Sequence, residues 1–210
     1  MSAYEVVHLD ELERFPVDEE GLTWRPVRRR LGIEAFGCNA YTAEKAGDRV
    51  VEEHFEKGGH EELYFVASGH ATFTLGDEEV DAPAGTFVVA VPGTKRGAHA
   101  TEPGTTIVAL GAKPGVPHEI SKWEAIFVAF GHLKNGDETA GRKELEAALA
   151  EHPTEWQGFF NAACFESLTG NRDQALAHLR QAIELDPKAK EWAAKDKDFD
   201  WLRDDPEFPA

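Results

Sequence analysis

The sequence predicts an α+β chain of two domains: an all-β sandwich or small barrel over residues 1–116, then an all-α array of helical hairpins over 117–210. Three observations predict it. The first part alternates short runs rich in β-branched and aromatic residues with turn residues. The second carries apolar residues at helical spacing and alanine-rich stretches. Between them, Gly111-Ala-Lys-Pro-Gly-Val-Pro-His118 puts two prolines and two glycines where neither a helix nor a central strand tolerates them. The length of 210 residues suits one generous domain or two small ones.

In the first part, residues 49–56, 63–67, 71–75, 86–91 and 105–110 read as strands. The turn residues between them, among them Gly58-Gly59, Ser68-Gly69, Gly76-Asp77 and Pro92-Gly93, recur at the interval of an antiparallel sandwich or barrel. Upstream, 22–30 and 35–41 read as further strands, with Pro26 confining the first to an edge.

In the second part, Trp156, Phe159, Phe160, Ala163 and Cys164 share one helix face, and Ala175, Leu176, Leu179, Ala182 and Ile183 repeat the spacing after a break at Gly170-Asn171. Thr154 with Gln157 has capping-box spacing, and Pro187 stops the second helix. A step back of 34 residues maps Pro187 on Pro153, Gly170 on Gly136 and Ala163 on Ala129, and Ser121 with Glu124 offers another capping box. That period, with Ala175-x-x-x-Leu179, resembles the tetratricopeptide repeat over about residues 120–188. The resemblance implies a protein-interaction module, with the tail 196–208 capping the stack.

Composition narrows the function classes. Lys and Arg number 22 against 39 Asp and Glu, a net charge of −17 that repels nucleic-acid phosphates. No apolar run is long enough to span a membrane, and the start of the chain has neither the basic nor the apolar region of a secretory signal. The two cysteines, Cys38 and Cys164, fall in different parts, so a reduced, cytoplasmic protein is expected. Phosphate-cradling glycine loops, a Gly-x-Ser-x-Gly elbow and a Cys-x-x-Cys pair are all lacking.

The stretch from Gly47-Asp-Arg-Val-Val-Glu-Glu-His54 through Glu62-Leu-Tyr-Phe-Val-Ala-Ser-Gly69 resembles the first motif of the cupin family, and Asp81-Ala-Pro-Ala-Gly-Thr-Phe-Val-Val-Ala-Val-Pro92 resembles the second. The resemblance covers about residues 46–100 and implies a jelly-roll barrel holding one divalent metal. His54 stands for the first histidine of the family's pair, Glu56 replaces the second, and Glu62 and Gly69 keep the family's spacing. The histidine of the second motif is expected at Gly97, where His99 is the nearest. Side chains two apart on a strand share a face, so a ligand set of His54, Glu56, Glu62 and His99, with His60 as a substitute, is expected, and Tyr64 and Arg96 are expected in the ligand pocket. Imidazoles with carboxylates suit zinc, manganese, nickel or iron. The same residues also admit a barrel without metal, with His54 and Glu62 as a hydrogen-bonded pair.

Arg28-Arg-Arg30, joined by Arg25 and Arg96, would favour an anionic ligand at the barrel mouth, or else pair with the acidic excess on a solvated strand. The tryptophans, mostly at helix starts, read as core packing between helix pairs. The reading that follows is a barrel binding a small ligand or metal, fused to a helical module that engages a protein partner or a second copy, with a homodimer expected. Its alternative is a metal-dependent oxygenase, isomerase or hydrolase acting on a small acidic metabolite.

Overall fold

A computed structural model describes residues 5–18, 21–121 and 123–209. The chain divides into two compact units, Met1–Ile120 and Ser121–Ala210.

The first unit contains β1 (Phe15–Pro16), β2 (Leu22–Arg25), α1 (Val27–Leu31), β3 (Gly37–Ala43), β4 (Arg49–Phe55), β5 (Glu61–Ser68), β6 (His70–Leu75), β7 (Glu78–Pro83), β8 (Phe87–Ala90), β9 (Lys95–Ala100) and β10 (Thr106–Ala112). Two antiparallel sheets form, one in the order β1-β2-β3-β10-β5-β8 and the other β4-β9-β6-β7. From β3 onward the chain deals strands to the two sheets in the nested order of two Greek keys, which is a jelly roll. The inner faces meet in a core of Val50, Tyr64, Val66, Ala71, Phe73, Ala82, Ala98, Ala100 and Ile107, contributed by alternate residues of each strand.

Three expectations need correction. The strand over 22–30 ends at Arg25, because Pro26 lacks the N–H that would continue the ladder, and Val27–Leu31 turns into a short helix carrying the arginine run. Nor is that strand an edge: β2 pairs with both β1 and β3. Strands β7 and β9 escape the sequence reading because their inward residues beside Phe73 are mainly small: Val80 and Ala82 on one, Ala98 and Ala100 on the other. A bulky ring in the neighbouring strand fills the space, so neither strand shows the β-branched alternation that marks a strand by itself.

The second unit contains α2 (Trp123–Lys134), α3 (Glu138–Glu151), α4 (Trp156–Leu168), α5 (Arg172–Leu185), α6 (Lys188–Ala193) and a 3₁₀ turn at Lys197–Leu202. Phe160, Ala163 and Cys164 of α4 pack on Ala175, Leu176, Leu179 and Ala182 of α5, and Phe199, Leu202 and Phe208 of the tail close that cluster. A second cluster joins Ile126 and Ala129 of α2 to Leu145 of α3 and to Ala162 and Phe165 of α4. Helix starts differ in part from expectation. The Ser121 hydroxyl accepts from the Trp123 amide at 3.3 Å, whereas α4 begins after Glu155 with no side-chain cap, so the Thr154–Gln157 box does not form. Trp192 and Trp201 are more than half exposed. They lie on the rim of the packing, Trp192 edge-on to Trp156 and Phe160 and Trp201 donating from Nε1 to the Ser167 carbonyl. Among the described residues no helix is long and apolar enough to cross a membrane.

Candidate metal site

Register irregularities in β4 build the site. Against β9, Arg49 stands opposite His99, Val51 opposite Ala98 and His54 opposite Arg96, so β4 carries extra residues in two places. Such bulges bend a strand and re-aim its side chains. On β9 the residues Arg96, Ala98 and Ala100 alternate into the interior and are fully or almost fully buried. His54, directly opposite Arg96, therefore looks inward as well. A β-carbon on Gly97 would lie 3.1 Å from the Glu53 Cα, so a larger residue there would press on the bulged backbone of β4.

The inward face collects a polar cluster around Glu62. Its Oε2 accepts from the Tyr64 hydroxyl at 2.7 Å, lies 3.1 Å from the Arg96 Nε and faces the His54 Nε2 at 3.5 Å. Arg96 is fully buried, with its Nη1 donating to the Thr94 carbonyl at 2.8 Å and its Nη2 reaching the Ala90 carbonyl at 3.4 Å. Its Nε is close enough to Glu62 for an ion pair but not aligned for a hydrogen bond. Glu56 follows the end of β4; its Oε1 accepts from the Gly58 amide and lies 3.3 Å from the His60 Nδ1. One ligand atom each from His54, Glu56 and Glu62 lies within 4.8 Å of the others.

The surroundings tune these groups. Burial by itself would raise the Glu56 carboxyl, but the hydrogen bonds from His60 and the Gly58 amide, with the charges of His60 and Arg96, hold it below the usual carboxylate range. Burial and the hydrogen bond to Glu62 push the Tyr64 phenol up, which keeps it a proton donor. Burial, with the charges of Glu62 and Glu52, raises Tyr41 to about 12.

The structure thus brings His54, Glu56, Glu62, Tyr64 and Arg96 together, with His60 behind Glu56. It leaves out His99. That residue shares a face with Gly97, as expected, but the face is the outer one and His99 is exposed, because the inward places on β9 belong to Arg96, Ala98 and Ala100. Arg25 also stands apart: it lies on the outer side of the larger sheet beside Thr42, to whose hydroxyl it donates at 2.8 Å, and cannot join Arg96. Sequence reasoning missed Tyr41, which packs against the core, and Asn39, which accepts from the Trp24 indole at 2.8 Å. Their signal was the period-two alternation of Asn39, Tyr41 and Ala43 on β3.

The chemistry of the donors decides whether a metal fits. The His54 Nδ1 lies 2.7 Å from the Glu52 carbonyl oxygen, which only accepts, so Nδ1 carries a proton and Nε2 is the ring atom left to face Glu62. Nε2 meets that carboxylate oxygen in one of two ways, through its own proton as an ion pair or through a metal ion held between the two. Donors held at about 2.1 Å by one first-row ion stand about 3–4 Å apart; the pair His54–Glu62 already has this separation, and Glu56 needs only a small side-chain movement. His60 serves as the carboxylate's partner, the role that orients a ligand. The residues therefore fit a divalent ion, with the Arg96 guanidinium as an adverse charge beside Glu62.

Comparison with solved structures finds likeness over the N-terminal half. A KdgF from Halomonas sp. is 21% identical, with 53% of this chain and 94% of that chain covered and a TM-score of 0.44. An RmlC-like cupin protein from Desulfovibrio desulfuricans is 26% identical over 51% and 95%, with a TM-score of 0.43. A predicted oxalate decarboxylase from Thermotoga maritima is 18% identical over 52% and 99%, with a TM-score of 0.43. A scan against family models and a search of curated proteins find no match.

Proposed function

We propose that the jelly-roll unit is a cupin-type barrel that binds one divalent transition-metal ion through His54, Glu56 and Glu62, and that the helical unit is a tetratricopeptide-like surface for a protein partner. The observation that carries the first part is the meeting of His54, Glu56 and Glu62, with the His54 Nε2 3.5 Å from a Glu62 oxygen while Nδ1 is committed to the Glu52 carbonyl. His60 holds Glu56, and Tyr64 with Arg96 holds Glu62. When bound, the ion supplies Lewis acidity toward a small acidic ligand at its open positions. The chain's own residues place two carboxylates and an imidazole around it, and the Tyr64 phenol, kept protonated by burial, donates its hydrogen bond to Glu62 and so fixes that carboxylate. Support for the helical part is the spacing of equivalent helices: α3 starts at Glu138 and α5 at Arg172, one repeat length apart.

Elemental analysis and calorimetric titration of the full chain with Zn, Mn, Ni and Fe(II) test the site. Wild type takes up about one equivalent of at least one of them; His54→Ala and Glu62→Gln each weaken binding by tenfold or more, on the scale of first-sphere and supporting ligands. His99→Ala leaves binding unchanged. Failure of the wild type to take up any of the four ions would overturn the reading.

A further inference from the structure

The outer side of the larger sheet carries a polar row where β2, β3 and β10 lie side by side. Thr23 stands opposite Thr42, and Thr42 opposite Thr106. Arg25, two residues on from Thr23, shares their face. The segment before β1 lies over this row, since the Arg14 Nε donates to the Thr23 hydroxyl at 3.1 Å. Arg25 is only 7% exposed there.

A guanidinium offers five N–H donors and stays charged. Among the described residues this one makes a single hydrogen bond, from Nη1 to the Thr42 hydroxyl at 2.8 Å, and its enclosed Nε has no partner. Arg49, Arg96 and Arg203 also carry an enclosed Nε without a hydrogen bond, yet each has a carboxylate oxygen beside its guanidinium: Asp18 at 3.0 Å, Glu62 at 3.1 Å and Asp200 at 2.8 Å. Arg25 forms no ion pair with any described residue, in a chain of 39 acidic residues. Glu44 stays on Arg14, at 2.6 Å. Burial and the charge of Arg14 draw the Arg25 guanidinium below its usual pKa, and the charge of Asp10 only partly offsets them. A buried cation without a counter-ion is strongly unfavourable.

The donors left over say what would complete the site. With Nη1 given to Thr42, Nε and Nη2 remain, and these two donate in parallel to two oxygens carried on one centre. We propose that the Nε–Nη2 edge of Arg25 is an anion-binding site on the outer side of the jelly roll, taking the phosphate group of a small molecule. A carboxylate would meet the same edge, but the added positive charge of Arg14 attracts a dianion more strongly than a monoanion. Neither Arg96 nor the barrel interior takes part, so the inference is independent of the metal site.

Calorimetric titration of the metal-free full chain with inorganic phosphate tests it, against sodium chloride of equal ionic strength and against acetate. Wild type is expected to take up about one phosphate, to bind acetate more weakly, and to melt a few degrees higher with phosphate present. Arg25→Lys, which keeps the charge but not the paired donors, weakens phosphate binding about tenfold. Arg25→Met weakens it at least as much and, without phosphate, melts no lower than wild type, because it removes a buried charge that nothing offsets. A wild type that responds to phosphate no more than to chloride overturns the proposal, leaving water as the partner of Nε. So does acetate binding as tightly as phosphate, or undiminished phosphate binding by Arg25→Met, which puts the anion elsewhere. An Arg25→Met chain that melts well below wild type in phosphate-free buffer overturns it too, since the guanidinium is then already satisfied within the fold.

Discussion

Glu56 reaches the cluster from a loop residue and not from a strand, so its position depends on what the loop offers it. The Gly58 amide and the His60 ring supply the two contacts on its Oε1. A β-carbon on residue 58 would lie 2.6 Å from that oxygen and 3.0 Å from the His60 Nδ1. The colliding atoms are side-chain ends at the protein surface, so the fold tolerates the change while the carboxylate has to move. Gly58→Ala is therefore expected to leave the melting temperature within about a degree, as for surface substitutions, and to lower divalent-ion affinity about tenfold, the scale seen when a ligand's supporting contact is lost; a metal titration of the variant reads it. Arg96 shows the same dependence from the other side. Its buried guanidinium is tolerable because two backbone carbonyls and Glu62 surround it.

Between elements, the helical unit is tied by an ion pair between a buried carboxylate and a partly exposed guanidinium as well as by apolar packing. Arg142 of α3 donates from Nε and Nη2 to the two oxygens of Glu166 on α4, at 2.7 and 3.0 Å, and Asn171 adds a third bond at 2.7 Å. The helices approach closely enough for this because Gly141 has no β-carbon: one there would lie 2.7 Å from both the Ala129 carbonyl and the Phe165 ring. Burial alone would raise the Glu166 carboxyl, yet the bonds from Arg142, Asn171 and Thr169 hold it below the usual range. A carboxyl lowered on folding contributes stability that is complete above its unfolded value of about 4.3 and is lost as pH falls through its folded value. Arg142→Met is expected to cost about 2 kcal/mol near neutral pH, the scale of hydrogen bonds to a charged group. The gap between variant and wild type should narrow as pH falls through the lowered value that Glu166 has in the folded wild type, below the usual carboxylate range. Urea unfolding of both chains at pH 7 and pH 3 measures it.

Over the whole molecule the net charge of −17 sets the response to salt. Self-repulsion of a compact acidic chain is screened as the Debye length shortens from about 10 Å at 0.1 M to about 3 Å at 1 M, so the melting temperature should rise by a few degrees over that range of sodium chloride, read by calorimetry without divalent ions. Much of the architecture could be foreseen because periodicity is local: runs such as 63–67 and 71–75 alternate with period two, the segment 156–183 keeps a period of 3.6, and the glycine–proline segment after β10 interrupts both. Strands β7 and β9 escaped that reading because a neighbour's Phe73 fills the space and their own inward residues are mostly small. At the site, the meeting of His54, Glu56 and Glu62 was expected from the family resemblance, and the way it comes about was not legible, since β4 reaches Arg96 only through bulges that appear when two strands are paired. The same limit misplaced His99: alternation tells which residues share a face, and only the opposite sheet decides which face is the inside. The sequence by itself thus determined the element types, the acidic balance and the stock of metal-ligand residues, all of them properties of short stretches. The tertiary structure alone decided which side chains look inward and which strand is left at the edge, because those depend on register between strands far apart in the chain.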